Sequence, residues 1–482
     1  MGADAHQFLR LVVTAADPAG ARQTAASAWT PVANTPPALL VGGGKMFSNP
    51  RSFGSVAGPQ ALATADLDGD GIPDLVVANY NGNTVGILLG NGDGTFRQLA
   101  ERATGLRPSG IVIADLNHDG RPDLVTANFS AGTVSVFLGS SGGGFLPRVD
   151  FPAGRGTAWV LAADLNGDGI PDLVTANYSE DTVAILRGRG DGTFLPRQTL
   201  PTARGPACVT AGDFNGDGRL DLAVANQETS FVSVFSNRGG AAFGPRVDFP
   251  TGSSPRCLAV ADLNGDGLAD LVVTAGTGAA VCVLLGKPNG NFQPFVSYPT
   301  AANPRGLVLG DFNSDGRLDL AVANSGGDSA SLLFGNGDGT FQTRLDFPIG
   351  ANPRALVAAD FNHDGTLDLL AGNFRGSQLT LLPGANRTGP ALAGAFTAGQ
   401  PVFTTTGAWS DADGDRINFT FQWQRSLDAR DGTATPIPGA TAASYVPVAA
   451  DANLFLRAVI TAGDTAGGSG TARTEWRQLR SF

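Results

Sequence analysis

Apolar positions fall in short, strand-length clusters separated by turn-forming residues, and no run approaches the roughly 18 residues of a membrane span. Residues 61–65 read as a strand, an Asp- and Gly-rich loop follows, and residues 75–79 form a second strand. A turn at Asn81-Gly82-Asn83 leads to a third strand over 85–89. A second turn, Asn91-Gly92-Asp93-Gly94, leads to a more polar fourth strand from 96 to about 103.

This pattern repeats. The string that begins Asp66-Leu67-Asp68-Gly69-Asp70-Gly71 and ends at Asp74 recurs from Asp115, Asp164, Asp213, Asp262, Asp311 and Asp360, each step being 49 residues. A second marker, Asn-Gly-Asp-Gly-Thr-Phe, runs in phase, ending at Phe96 and Phe341, with looser versions ending at Phe145, Phe194, Phe243 and Phe292. One period before Phe96 lies Phe47, and one period after Phe341 lies Pro390, where the pattern stops. Residues 47–389 are therefore seven units of 49. Four antiparallel strands per unit, repeated radially, predict an all-β fold, a seven-bladed β-propeller. Stacked solenoids, with one or two elements per repeat and capping ends, fit less well. The seventh unit lacks its last turn and fourth strand, and the missing piece stands at the other end as residues 47–56. The expectation is that this N-terminal strand pairs with residues 379–382 and closes the ring, removing exposed sheet edges.

The flanks read as a second fold. Residues 390–482 alternate apolar and polar over 419–423, 444–446 and 455–460, with turn residues such as Pro438-Gly439 between, which suggests an immunoglobulin-like β-sandwich without its inter-sheet disulfide. Residues 4–14 resemble 451–461, and Trp29 matches Trp476 at the same offset of 447. Residues 1–32 thus read as the last two strands of another such sandwich, followed by a linker over 33–46. Two readings follow: a piece of a longer alternating array, or an arm that makes head-to-tail contacts with another molecule.

Composition narrows the function classes. Of 482 residues 39 are Asp, but only four are Glu and two Lys, so the usual helix formers are nearly missing. A formal charge of −11 argues against a nucleic-acid binder, and 42% apolar residues argue against a disordered acidic tail.

Most of the aspartate is in the repeated loop. Asp-x-Asp/Asn-x-Asp-Gly-x-x-Asp places oxygen side chains at positions 1, 3, 5 and 9, with a backbone carbonyl expected at 7 and glycine at 6 for the sharp turn. Those positions are Asp66, Asp68, Asp70 and Asp74 in the first loop, and Asp115, Asn117, Asp119 and Asp123 in the second. The third has Asp164, Asn166, Asp168 and Asp172; the fourth Asp213, Asn215, Asp217 and Asp221. The fifth has Asp262, Asn264, Asp266 and Asp270; the sixth Asp311, Asn313, Asp315 and Asp319; the seventh Asp360, Asn362, Asp364 and Asp368. Hard oxygen ligands in this number suit Ca²⁺ better than Mg²⁺. The set is not an EF-hand, because the position-12 Glu is missing and the flanks are strands. The expectation is up to seven Ca²⁺, one per unit; their +14 against −11 would leave a formal +3. The Asn91-Gly-Asp-Gly94 type of loop has no comparable ligand set and reads as a turn.

On these loops the units resemble the FG-GAP (VCBS) repeats of integrin α-subunit propellers and bacterial surface proteins, across about 70% of the chain. The resemblance implies a seven-bladed propeller with Ca²⁺ between the first and second strands of each blade, at the loop residues just named. The flanks look like the Ig-like modules of secreted bacterial adhesins. An extracellular or cell-surface location is the corresponding expectation, although residues 1–10 lack the basic start and apolar core of a signal peptide.

Catalytic chemistry is sparse. His118 and His363 sit at position 4 of aspartate loops and His6 stands apart, and no Ser-His-Asp or Cys-His arrangement can be assembled. Of the 43 acids, 22 occupy loop ligand positions. Cys208 and Cys257 lie one period apart on first strands, either as buried thiols or as a disulfide, and Cys282 lies on a third strand. Arg256, Arg305 and Arg354 share one position at the start of the first strand, with Arg107, Arg155 and Arg204 a few residues earlier in their linkers. In a propeller this is the channel mouth opposite the calcium loops, together with Tyr80, Phe129, Tyr178 and Phe374. The arginines either satisfy backbone carbonyls between blades or bind an anionic or sugar-like ligand. The leading expectation is a non-catalytic, calcium-binding adhesion or ligand-binding protein with a glycan or protein partner. The alternative is a polysaccharide lyase using the arginine-bearing face.

Overall fold

A computed structural model describes residues 12–16, 22–26, 47, 50–53 and 57–384 except 314 and 364. Beyond 384 it describes 392–394, 402–404, 418–427, 434–441, 444–448, 451, 454–463, 469–473 and 477–478. The expectations placed on residues 4–10, Trp29, the 33–46 linker, Trp476, His6 and Asp364 lie outside these. The chain divides into two compact units, one of them residues 47–384.

Among the described residues, that unit holds seven four-stranded antiparallel sheets. The first is built from Pro59–Ala65, Asp74–Asn79, Thr84–Gly90 and Phe96–Ala103, in chain order, as the apolar pattern indicates. Later fourth strands are shorter and begin beyond the marker phenylalanine, as at Val149–Pro152. The first strands of successive sheets pack side by side, and that of the seventh packs on that of the first. Every second strand is buried along its whole length, which explains its unbroken apolar run. Its two faces pack against neighbouring sheets: Leu75 and Val77 of the first share a cluster with Val357, Leu370 and Leu381 of the seventh.

The N-terminal strand takes the place the periodicity assigns it. Arg51–Phe53 is the fourth strand of the seventh sheet, with Arg51 opposite Leu381 and Phe53 opposite Leu379. Phe47 bridges Gly384 as Phe341 bridges Gly335 one unit earlier. The marker loops are self-contained turns: Asp93 Oδ1 accepts the Thr95 amide at 2.9 Å, and Asp338 does the same for Thr340.

Each first strand carries a β-bulge near its start, between Pro59 and Ala61 in the first sheet and between Pro255 and Leu258 in the fifth. A bulged residue leaves the ladder and can be re-aimed.

In the other unit, one sheet of three strands and another of five are present among the described residues. Asn418–Ser426, Ser444–Tyr445 and Phe455–Gly463 fall where alternation predicts strands. Trp423 is fully buried and its ring lies 5.8 Å from that of Tyr445, linking the two sheets. Near the N-terminus, Val12–Ala16 pairs with Arg22–Ala26 from Val12↔Ala26 to Ala16↔Arg22. Shifted by 447, this is the register of Val459↔Arg473 to Gly463↔Ser469. The internal match therefore extends from sequence to pairing.

Candidate functional site

The aspartate loops are ordered from within. The position-6 glycine of each takes a left-handed turn, φ +83° at Gly71, and donates its N–H to the position-1 aspartate at 2.8 Å in all seven loops. The position-5 carboxylate accepts the position-7 N–H, as Asp70 does from Ile72 at 2.8 Å. His118 and His363 occupy the left-handed position 4 with φ +57° and +54°, solvent-side residues of a turn.

The position-9 aspartates are fully buried. In Asp74 one oxygen accepts the N–H of Gly90 at the end of the third strand at 2.8 Å and the other the N–H of Leu67 at position 2 at 2.7 Å, whereas Asp221 Oδ2 has no hydrogen-bond partner among the described residues. Asp74 therefore clamps loop to sheet before any ion is considered. Burial pushes these carboxyls up from 3.8 in Asp74, Asp123, Asp172, Asp221 and Asp270, and up to about 7 in Asp319.

Whether the loops fit a cation is best judged in the first. Carboxylate oxygens of Asp66, Asp68 and Asp74 lie within 4.8 Å of one another, and Asp68 Oδ1 is buried with no hydrogen-bond partner. Converging anionic oxygens with an orphaned acceptor are the donor set a hard divalent cation takes. The loops are partly neutralised by arginine, the first through Arg97, 3.5 Å from Asp68 Oδ2. Arg121 and Arg219, at position 7, form ion pairs with Asp119 and Asp217 at position 5, a feature not anticipated from the motif. In loops with Asn at position 3, its amide can turn toward position 5, as Asn117 does to Asp119 at 3.0 Å.

At the other end of the first strands lies a cavity of about 410 Å³. The bulged residue of every unit lines it: Gln60, Ser109, Ala158 and Ala207 on one side, Arg256, Arg305 and Arg354 on the other. Tyr80, Phe129, Tyr178 and Trp159 supply aromatic wall, and among the described residues no Asp, Glu or Lys lines it. Phe374 lies beneath Arg354, whose guanidinium carbon is 3.4 Å from the ring centroid. Arg107, Arg155 and Arg204 do not line the cavity; Arg107 stands over Tyr80 at 5.5 Å and Arg204 pairs with Glu228 at 3.2 Å.

Two of the three cavity arginines bond to side chains, not to the backbone carbonyls offered as one reading of them. Arg354 donates to Gln60 Oε1 at 2.6 Å and Asn352 Oδ1 at 3.1 Å, Arg305 to Ser325 Oγ at 3.2 Å, and the buried Arg256 Nε has no partner. Burial, then the neighbouring Arg256 and Arg354 charges, pushes Arg305 down to about 9; burial pushes Arg354 down to about 10. Outside the lining, Glu228 accepts the Tyr178 hydroxyl at 3.0 Å.

One positioning residue escaped the sequence reading. Thr274 stands in a column otherwise occupied by Ala or Gly, and its hydroxyl accepts the Cys257 N–H at 3.0 Å and donates to Arg305 O at 2.9 Å. It ties the fifth first strand to the sixth. Cys208, Cys257 and Cys282 are free thiols, and Cys257 lines the cavity. Cys282 takes the place of Ser233 and Ser331 and accepts the Gly252 N–H at 3.2 Å.

The FG-GAP-like repeat matches residues 66–126, 115–175, 164–224, 213–273, 262–322 and 311–371. The chain belongs to the FG-GAP-like repeat family. No curated protein matches it. Among solved structures, this FG-GAP chain is similar to BBS1N in complex with ARL6DN, with 15% identity, a TM-score of 0.52, and coverage of 71% of this chain and 98% of the other. It is also similar to an Agrocybe aegerita lectin that recognises non-reducing terminal N-acetylglucosamine, with 23% identity, a TM-score of 0.46, and coverage of 66% and 86%. A periplasmic gluconolactonase of Pseudomonas aeruginosa gives 20% identity, 0.48, and coverage of 61% and 86%. At these identities the likeness concerns the fold alone: the FG-GAP repeats build a β-propeller. Among the described residues, no helix is long and apolar enough to cross a membrane.

Proposed function

We propose that the chain is a calcium-binding, seven-bladed FG-GAP propeller with an Ig-like module, acting outside the cell or on its surface as a non-catalytic adhesion or ligand-binding protein. The observation that carries the binding half is the axial cavity, where three arginines and an aromatic wall meet without a carboxylate or lysine in the lining. The observation that carries the metal half is the first loop, with its converging carboxylates and orphaned Asp68 Oδ1.

Asp66, Asp68, Asp70 and Asp74 would hold the ion, as would the matching oxygens of the other loops. Bound Ca²⁺ would supply the positive charge that lets these carboxylates stay close. The residues themselves curl the loop, through the Gly71 and Ile72 amides, and anchor it to the sheet through Asp74.

Thermal melting with EDTA, then with Ca²⁺ restored, tests the metal half: the melting temperature should fall and recover, and an unmoved melt would remove it. A glycan and protein array tests the binding half, and a blank array would favour a purely structural role. Ultraviolet absorbance of an unsaturated product from an acidic polysaccharide would replace the non-catalytic reading with the lyase.

A further inference from the structure

We infer that the axial cavity is a receptor for an acidic sugar, with Arg256, Arg305 and Arg354 gripping a uronate carboxylate and the aromatic wall receiving the sugar ring. The inference rests on the ligand-binding reading above and names the ligand class.

The argument begins with the repeat. One position per unit, seven in all, faces the axis because the bulge turns it there, so its residue is not needed for pairing. Where the fold alone is served, small or neutral residues suffice, as Ser109, Ala158 and Ala207 show. Three consecutive units carry arginine instead. Placing like charges together in a partly buried cavity opposes folding through both desolvation and repulsion. Burial and mutual charge already act on Arg305 in this direction. Such an arrangement is relieved by an anion.

The chemistry of that anion follows from the rest of the lining. Planar guanidinium forks match a planar carboxylate by paired hydrogen bonds, and Arg256 Nε is a buried donor with no partner. Tyr80, Phe129, Tyr178 and Trp159 give the lining aromatic surface of the kind that packs against the C–H groups of a pyranose. About 410 Å³ is in the range of small-molecule sites. The side-chain acceptors in the lining are the neutral oxygens of Gln60, Gln227 and Ser109 and the tyrosine hydroxyls, so the charged groups there are all cationic and favour an anionic sugar over a neutral one. Thr274 holds the Arg305 strand beside that of Cys257, fixing two of the three arginines relative to each other.

The test is calorimetric titration of the full chain in Ca²⁺ with digalacturonate, with a neutral galactose disaccharide and with inorganic phosphate. Digalacturonate should bind, more weakly as salt is added, and the neutral disaccharide should bind at least about tenfold less tightly. Arg305→Gln should weaken digalacturonate binding at least about tenfold without lowering the melting temperature. Arg204→Gln, on an exposed arginine outside the cavity, should change nothing. Equal affinity for the neutral disaccharide, phosphate binding as tight as digalacturonate, or unchanged binding by the folded Arg305→Gln variant would each overturn the inference. So would a blank digalacturonate titration, while a ligand from the array whose binding Arg305→Gln abolishes would keep the broader reading. The ligand series uses the unmodified protein, so it decides the matter even if a variant fails to fold.

Discussion

Phe47 and Phe347 lie 300 residues apart in sequence, yet their rings meet edge to face, with centroids 5.1 Å apart and planes at 86°. The same contact recurs between Phe151 and Phe194 and between Phe249 and Phe292, where an aromatic of one fourth strand meets the marker phenylalanine of the next unit. Phe47 is thus the seventh unit's marker, supplied from the other end of the chain. Phe47→Ala should cost about 3–5 kcal/mol in chemical denaturation, the range for a buried phenylalanine, whereas the exposed Phe231→Ala should stay within about 0.5 kcal/mol.

The loops should not bind Ca²⁺ equally. The first has four carboxylates, with Arg97 from outside the loop 3.5 Å from Asp68, while the second and fourth have three and contain an arginine of their own paired with the position-5 aspartate. Ligand charge tunes calcium affinity over orders of magnitude. Titration followed by native mass spectrometry should show stepwise filling, with Asp68→Asn removing the tightest step and Arg121→Ile strengthening a weak one. Identical sites in the unmodified chain would refute this ordering.

Among the described residues the Arg305 side chain hydrogen-bonds to Ser325, and the charges of Arg256 and Arg354 lie nearby. Arg305→Met should therefore raise stability, by about 1 kcal/mol, because replacing a desolvated charge with an apolar side chain is often stabilising. A lower melting temperature would mean the arginine belongs to the framework.

Position 4 is left-handed at His118, with φ +57°, and at His363, and the first, third, fourth and fifth units place glycine there. Outside glycine this conformation costs about 1–2 kcal/mol, so His118→Gly should recover up to about 1 kcal/mol against the entropy glycine adds to the unfolded chain. Denaturant titration of the calcium-free protein is the measurement.

In the C-terminal unit, buried Asp451 accepts from the Tyr445 hydroxyl at 2.6 Å, the Val448 amide at 3.0 Å and Arg425 at 2.8 Å. Burial alone would raise its pKa, but these bonds outweigh it and hold the carboxyl below 3.8. A depressed folded pKa gives stability that is present above about 3.8 and lost as pH falls through the folded value. Acid unfolding of this unit should therefore begin below about pH 4, and Asp451→Asn should flatten that limb while lowering stability at pH 7.

The repeat made the fold legible because a strict 49-residue period fixes strand, loop and marker together; even the seventh unit's completion by Arg51–Phe53 followed from phase. The arginine cavity was half legible: Arg256, Arg305 and Arg354 share a column, but Arg107, Arg155 and Arg204, a few residues away, turn out to lie outside it. The difference is the bulge, a local backbone event with no distinct residue pattern. Thr274 was visible only as a departure from an alanine column, and its role needed the neighbouring strand. The intraloop pairing of Arg121 was hidden because the metal motif leaves position 7 unspecified.

Completion of the seventh sheet by the N-terminal strand also sets how the ring meets tension. The chain enters through Phe47 and leaves through Gly384, and these two residues form a bridge. A pull on the flanking segments reaches the sheet at one end of an antiparallel pair and peels Arg51–Phe53 away a bond at a time. The other six sheets would carry none of that force until the strand had parted. The short strand pairing where residues 47–53 meet 379–384 would then act as a mechanical fuse.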